Sequence, residues 1–130
     1  MKNQEIYENA LRLLAQHTDE GENEDYKERA PFLIASFCSE AMEVDQFLRE
    51  SIGESPAASF GKVWMELTED FPLLDRLAPV ACLYVAAMLV LEENTDLSDR
   101  LYDLYSQGIS AVWNGITSVI DSIKEQYFSD

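Results

Sequence analysis

The strongest constraint in this chain is the run Leu77–Leu91, LAPVACLYVAAMLVL, which contains no charged residue. Its fifteen residues fall short of the roughly 20 that a helix needs to cross a bilayer. Pro79, near its start, suits the first turn of a helix, where a missing N–H leaves no hydrogen bond unmade. Val80, Leu83, Tyr84, Ala87, Met88 and Leu91 put apolar side chains on nearly every side of such a helix. A helix that is apolar all round is surrounded by other helices. The run predicts a central buried helix, about Pro79 to Glu93, and with it a bundle.

The flanking segments supply the surround. Ile6, Ala10, Leu13 and Leu14 follow the spacing of an amphipathic helix, about Asn3 to Gln16. Residues 17–25, HTDEGENED, read as a polar acidic loop, with Asp25 or a neighbour capping the next helix. That helix runs from about Tyr26 to Glu50. Leu33, Phe37, Ala41, Val44 and Leu48 mark its apolar face, and Ile34 and Cys38 widen it. Pro31 argues for a start later than Tyr26. In residues 51–72, Gly53, Pro56 and Gly61 break the periodicity, and Trp64, Met65 and Leu67 are read as one helical turn. Asp75 starts a short turn. A last helix begins near Leu97 and reaches about Lys124, with Gly108 and Gly115 marking a bend or a change of packing partner. The fold class is all-α: a small helical bundle of about four main helices, with a long irregular loop before the central one.

Composition narrows the function. The chain has 130 residues, with 9 Lys+Arg against 25 Asp+Glu and a formal net charge of −16. The nine basic residues form no run, which disfavours binding to nucleic acid or to an anionic membrane. Hydrophobic residues make up 47 %, too many for a disordered acidic tail. The N-terminal sequence MKNQEIYENALRLL lacks the basic and apolar regions of a secretory signal. Cys38 and Cys82 lie in apolar segments and are read as buried thiols in a reducing cytoplasm rather than as a disulfide.

No motif indicates catalysis, and no cofactor is expected. Glu40/Glu43, Glu66/Glu69 and Glu93/Asp96 are acidic pairs about one helical turn apart, the arrangement that holds Mg²⁺ in all-α nucleotide pyrophosphohydrolases. With 25 acids in the chain such pairs arise by chance, and no basic cluster stands ready for a triphosphate. They are read as a solvated acidic face, with no metal assigned. The loop Asp19–Asp25 lacks EF-hand spacing, and His17, the single histidine, has neither a nearby nucleophile nor a zinc-type cluster. Aromatic and aliphatic residues concentrate instead near the C-terminus. Trp113, Ile116, Ile120, Tyr127 and Phe128 are the candidate partner-binding residues. Either this segment folds back to complete the bundle, or it leaves an apolar face for a partner.

Several stretches resemble one family. EIYENALRLLAQ (Glu5–Gln16) is similar to the opening helix, xIxxxALRLLG, of short all-α proteins from phage and prophage head–tail junctions. The stretch Glu28–Glu50, the proline-led helix Leu77–Asn94 and LSDRLYDLY (Leu97–Tyr105, the form LSDxLYxxY) extend the likeness over roughly residues 5–105. The chain departs from the family at Ala15-Gln16, where a glycine is frequent, and over its last 25 residues. The resemblance implies a connector-like domain at 1–105 and a C-terminal helical extension at 106–130. It also implies a non-enzymatic adaptor that self-associates as a ring with the portal protein and tail-completion proteins. Such a protein would sit in the bacterial cytoplasm during assembly and then in the virion neck. A ring of n copies carries −16n charges, so self-repulsion would oppose assembly away from a complementary surface. Two alternatives stand: a Mg-dependent all-α nucleotide pyrophosphohydrolase using Glu40, Glu43, Glu93 and Asp96, or an acidic interaction protein that binds a basic partner.

Overall fold

The apolar run becomes α3, Ala78–Val90, with Pro79 in its first turn and a single 3₁₀ turn, Asp75–Leu77, leading into it. Ten of its thirteen residues are buried. This is a computed structural model describing residues 1–15, 23–55 and 61–128, with side chains described as far as Gly115. The other helices are α1 (Asn3–Leu13), α2 (Glu24–Ser51) and α4 (Thr95–Phe128). The described chain is an all-α bundle of four helices, and α3 packs against the other three. No helix among the described residues is long and apolar enough to cross a membrane.

α2 starts earlier than Pro31 suggests. The Asn23 side chain caps it by accepting from the Tyr26 N–H at 3.2 Å. Pro31 then lies inside the helix, buried, at a position that ordinarily costs about 3 kcal/mol relative to Ala. Tertiary packing overrides that cost: Ala30, Leu33, Ile34, Phe37 and Cys38 are buried around it. The Pro31 carbonyl also accepts from the Met65 N–H at 3.3 Å.

The expected helical turn at Trp64–Leu67 does not form. Residues 64–71 are non-helical and contain one turn, in which the Glu69 N–H donates to the Glu66 carbonyl at 3.1 Å; Met65 and Phe71 are buried and Leu67 half-buried, while Trp64, Glu66, Thr68 and Asp70 are exposed. Met65 and Phe71 thus anchor the segment to the core on either side of the turn. Its backbone is held to the chain's first residues. The Asn3 N–H donates to Glu69 (2.9 Å), the Gln4 N–H to Leu67 (2.9 Å), and the Phe71 N–H to Met1 (2.8 Å). Lys2 and Asp70 add an isolated antiparallel bridge and an ion pair of 2.8 Å.

α1 ends at Leu13, three residues short of the expected Gln16, and Ala15 follows with φ of 56°. That left-handed conformation closes many helices and favours glycine.

Polar clamps tie the helices together. Arg29 donates to the Met88 carbonyl (2.8 Å) and the Leu89 carbonyl (3.4 Å), occupying acceptors that the end of α3 leaves open. The Tyr26 hydroxyl donates to Glu93 beside them. Asp45 is buried; it accepts from the Leu74 N–H and the Arg49 guanidinium, both at 2.8 Å. Arg49 also donates to the Pro72 carbonyl at 3.1 Å, so the end of α2 fixes the approach to α3. Asn94 caps α4 by accepting from the Leu97 N–H at 3.1 Å, and the buried Ser98 hydroxyl donates to the Ala87 carbonyl at 2.8 Å.

Candidate interaction site

α4 is built differently along its length. Leu101, Tyr105 and Val112 are buried at steps of four and seven residues, with Leu97 and Ile109 packed beside them. A Cβ built on Gly108 would lie 3.3 Å from a Val80 methyl, so a glycine lets α4 approach the start of α3 closely. α4 is unbroken across residue 105, and Val112 belongs to the same core as α1–α3.

An aromatic cluster locks α4 onto the bundle. The Phe37 ring lies 6.2 Å from that of Tyr105 and 5.9 Å from that of Tyr84, and Tyr84 and Tyr105 are 5.2 Å apart. Burial pushes the Tyr105 hydroxyl above its ordinary range, and the neighbouring Glu40 charge and hydrogen bond push it further. The Tyr84 hydroxyl is also raised by burial, partly offset by its 3.0 Å hydrogen bond with Ser36. Both tyrosines stay neutral at physiological pH and serve packing.

Beyond this cluster the helix emerges. Trp113 meets Phe47 of α2 edge to face, with centroids 5.3 Å apart, and the two remain 38 % and 36 % exposed. Of the five candidate partner-binding residues, Trp113 is thus placed on the surface and braced by a second aromatic. The side chains of Ile116, Ile120, Tyr127 and Phe128 lie outside the described residues. Their backbone continues α4, a 34-residue helix about 51 Å long at 1.5 Å per residue.

A charge signal accompanies this surface. From Leu104 to Ile120 the chain has no charged residue, within a sequence that is 26 % charged. Only Tyr105 and Val112 are buried between Leu104 and Gly115. The outer face there carries Leu104, Gln107, Ser110, Ala111, Trp113 and Asn114, all exposed. Helical spacing alone did not flag it, because the signal is the missing charge. Phe47, the brace, reads in the sequence as a residue beside the α2 core stripe.

The acidic pairs are dispersed. Glu40 lies beside Tyr105, and Glu93 accepts from Tyr26. Tyr26 and Glu40 are fourteen residues apart on α2, about 20 Å along its axis. Glu66 accepts from the Trp64 indole at 3.1 Å, and Glu69 faces Lys62 at 3.7 Å. Among the described residues no three His, Cys, Asp or Glu side chains gather as a metal site. His17 and most of the Asp19–Asp25 loop lie outside the described residues. Cys38 and Cys82 are free thiols, buried, and burial pushes them up to about 12 and about 11.

No family model, curated protein or solved structure matches the chain.

Proposed function

We propose that this chain is a non-enzymatic structural protein of a phage or prophage head–tail junction. In this reading it forms an oligomeric adaptor ring with the portal protein and meets tail-completion proteins on the other side. It is made in the bacterial cytoplasm and retained in the virion neck. The observation that carries the reading is the uncharged outer face of α4 around the braced Trp113. In a subunit of net charge −16, a neutral face is where another surface approaches against the least repulsion. The helix order of the resembled family and the glycine-like backbone of Ala15 lend further support.

The test is association with the portal protein of the same phage or prophage, read by co-purification and by electron microscopy of rings. Removing residues 106–130 would take Val112 out of the core, so the informative truncation ends after Gly115. Full-length protein is expected to join the portal, and the truncation and Trp113→Ala to lose at least tenfold in affinity while retaining helical circular dichroism. Normal portal binding by both variants would overturn the docking role. Mg²⁺-dependent turnover in a nucleotide panel would overturn the non-enzymatic one.

A further inference from the structure

The first residues and the segment 66–71 meet in a short antiparallel pairing. Lys2 bridges to Asp70, and the Asn3 N–H donates to the Glu69 carbonyl at 2.9 Å. Asn3 therefore stands opposite Glu69, with the spacing of about 5 Å between Cβ atoms that opposed residues keep. The Asn3 side chain is buried, and its Nδ2 donates to the Glu66 carbonyl at 3.1 Å. A carbonyl only accepts, so that bond fixes the orientation of the amide and turns Oδ1 away from Glu66. Glu69 is divided: Oε1 faces Lys62 at 3.7 Å, while Oε2 is buried. Among the described residues no donor reaches Asn3 Oδ1 or Glu69 Oε2. Two buried acceptors on residues joined backbone to backbone thus lie in one seam with the same need.

We infer that one ordered water molecule bridges Asn3 Oδ1 and Glu69 Oε2. Buried acceptors without donors cost stability, and buried water characteristically bonds to such groups. A water brings a hydrogen for each oxygen. The seam calls for hydrogens rather than for charge, because Lys62 already stands against the carboxylate. A hard cation such as Ca²⁺ takes roughly six to eight oxygens, more than these two side chains offer. Tyr7 lies one turn along the same face of α1 and is buried, so the helix side of the seam is closed to bulk solvent. The water completes the attachment of residues 1–4 to 66–71 alongside the backbone bonds. The inference is independent of the portal reading, since it concerns the N-terminal seam rather than the outer face of α4.

The experiment uses the full chain. A high-resolution crystal structure is expected to show one water within about 3.2 Å of both oxygens. In solution, water-selective nuclear Overhauser spectra should give a cross-peak from water to the Asn3 side-chain amide, with the sign of a long-lived bound molecule. Glu69→Met removes one acceptor; it is expected to abolish the cross-peak and to speed exchange of the Gln4 and Phe71 amides at least tenfold. Lys62→Met removes only the ion pair and is expected to leave both readouts unchanged, with circular dichroism checking the fold of each variant. A cation in this place, with a melting temperature that rises with Na⁺ or Ca²⁺ at fixed ionic strength, would overturn the proposal. So would direct contact of the two oxygens through a carboxyl proton, or a wild-type spectrum without the cross-peak. Equal losses in the two variants would assign the effect to the ion pair and overturn it as well.

Discussion

α3 and the middle of α4 share a composition and differ in fate. Neither Ala78–Val90 nor Leu104–Gly115 contains a charged residue. In α3, ten of thirteen residues are buried, and burial alone explains the absence of charge. In the twelve residues from Leu104 to Gly115 only Tyr105 and Val112 are buried, so burial does not explain it. What the core excludes for want of hydration, the outer face of α4 excludes without that pressure. The difference separates a stability requirement from one that stability does not impose, which the proposed adaptor role would supply.

Matched substitutions break or sharpen this comparison. Val85→Asp places an unpaired carboxylate among buried apolar side chains; a loss of about 4 kcal/mol or more is expected, with urea titration showing an unfolded or barely folded chain. Ala111→Asp makes a similar chemical change on the exposed side of α4 and is expected to shift stability by no more than about 0.5 kcal/mol. It should nevertheless weaken partner capture. If Ala111→Asp unfolds the chain, the face is structural and the comparison collapses.

Asp45→Ala comes next. It strips the Leu74 N–H of its acceptor and leaves the largely buried Arg49 guanidinium with the Pro72 carbonyl and the more distant Glu54, at an expected cost of about 3 kcal/mol by the same titration.

Alkaline pH probes the shared core of α2, α3 and α4. The raised thiols of Cys38 and Cys82 and the raised hydroxyls of Tyr26, Tyr84 and Tyr105 all favour the protonated form in the folded state. Stability from these groups is complete below their unfolded values, near 9 for Cys and 10 for Tyr. It declines as pH rises through the folded ones. Urea midpoints should hold to about pH 9 and then fall steadily. Cys38→Ala should flatten the first part of that fall, after allowance for its own constant packing loss.

The smallest effects concern backbone. Ala15→Gly relieves a left-handed alanine and should stabilise by about 1 kcal/mol. Gly115→Ala, whose Cβ would meet only the Arg76 guanidinium at 3.6 Å, should add about 0.5–1 kcal/mol through helix propensity. Gly108→Ala should gain less, because its Cβ would press on Val80. A thermal melt orders the three.

How far the sequence was legible follows the same division. The central helix was readable because an apolar run of that length without charge has few other homes. The stripe Leu33–Phe37–Ala41 also lies where its spacing puts it. Pro31 misled, since propensity is local and the packing that overrides it is not. The non-helical course of 64–71 was missed because its backbone is held by contacts distant in sequence, from Met1, Asn3 and Gln4. Of the candidate site, Trp113 was readable as an aromatic on a helix. Its brace by Phe47 was not, because that contact joins residues 66 positions apart.

The bond from Phe71 to Met1 bears on the order in which the protein can be made. α1 leaves the ribosome before its hydrogen-bonding partners at 67–71 and before most of its packing partners, which lie in α3. α1 must therefore wait, with Ile6, Tyr7 and Leu11 uncovered, until more than half the chain has been synthesised. Closure then joins the N-terminus, the segment 64–71 and the central helix in nearly one event. A ribosome stalled before Phe71 emerges should display α1 open to protease, whereas one stalled after α3 has cleared the exit tunnel should protect it.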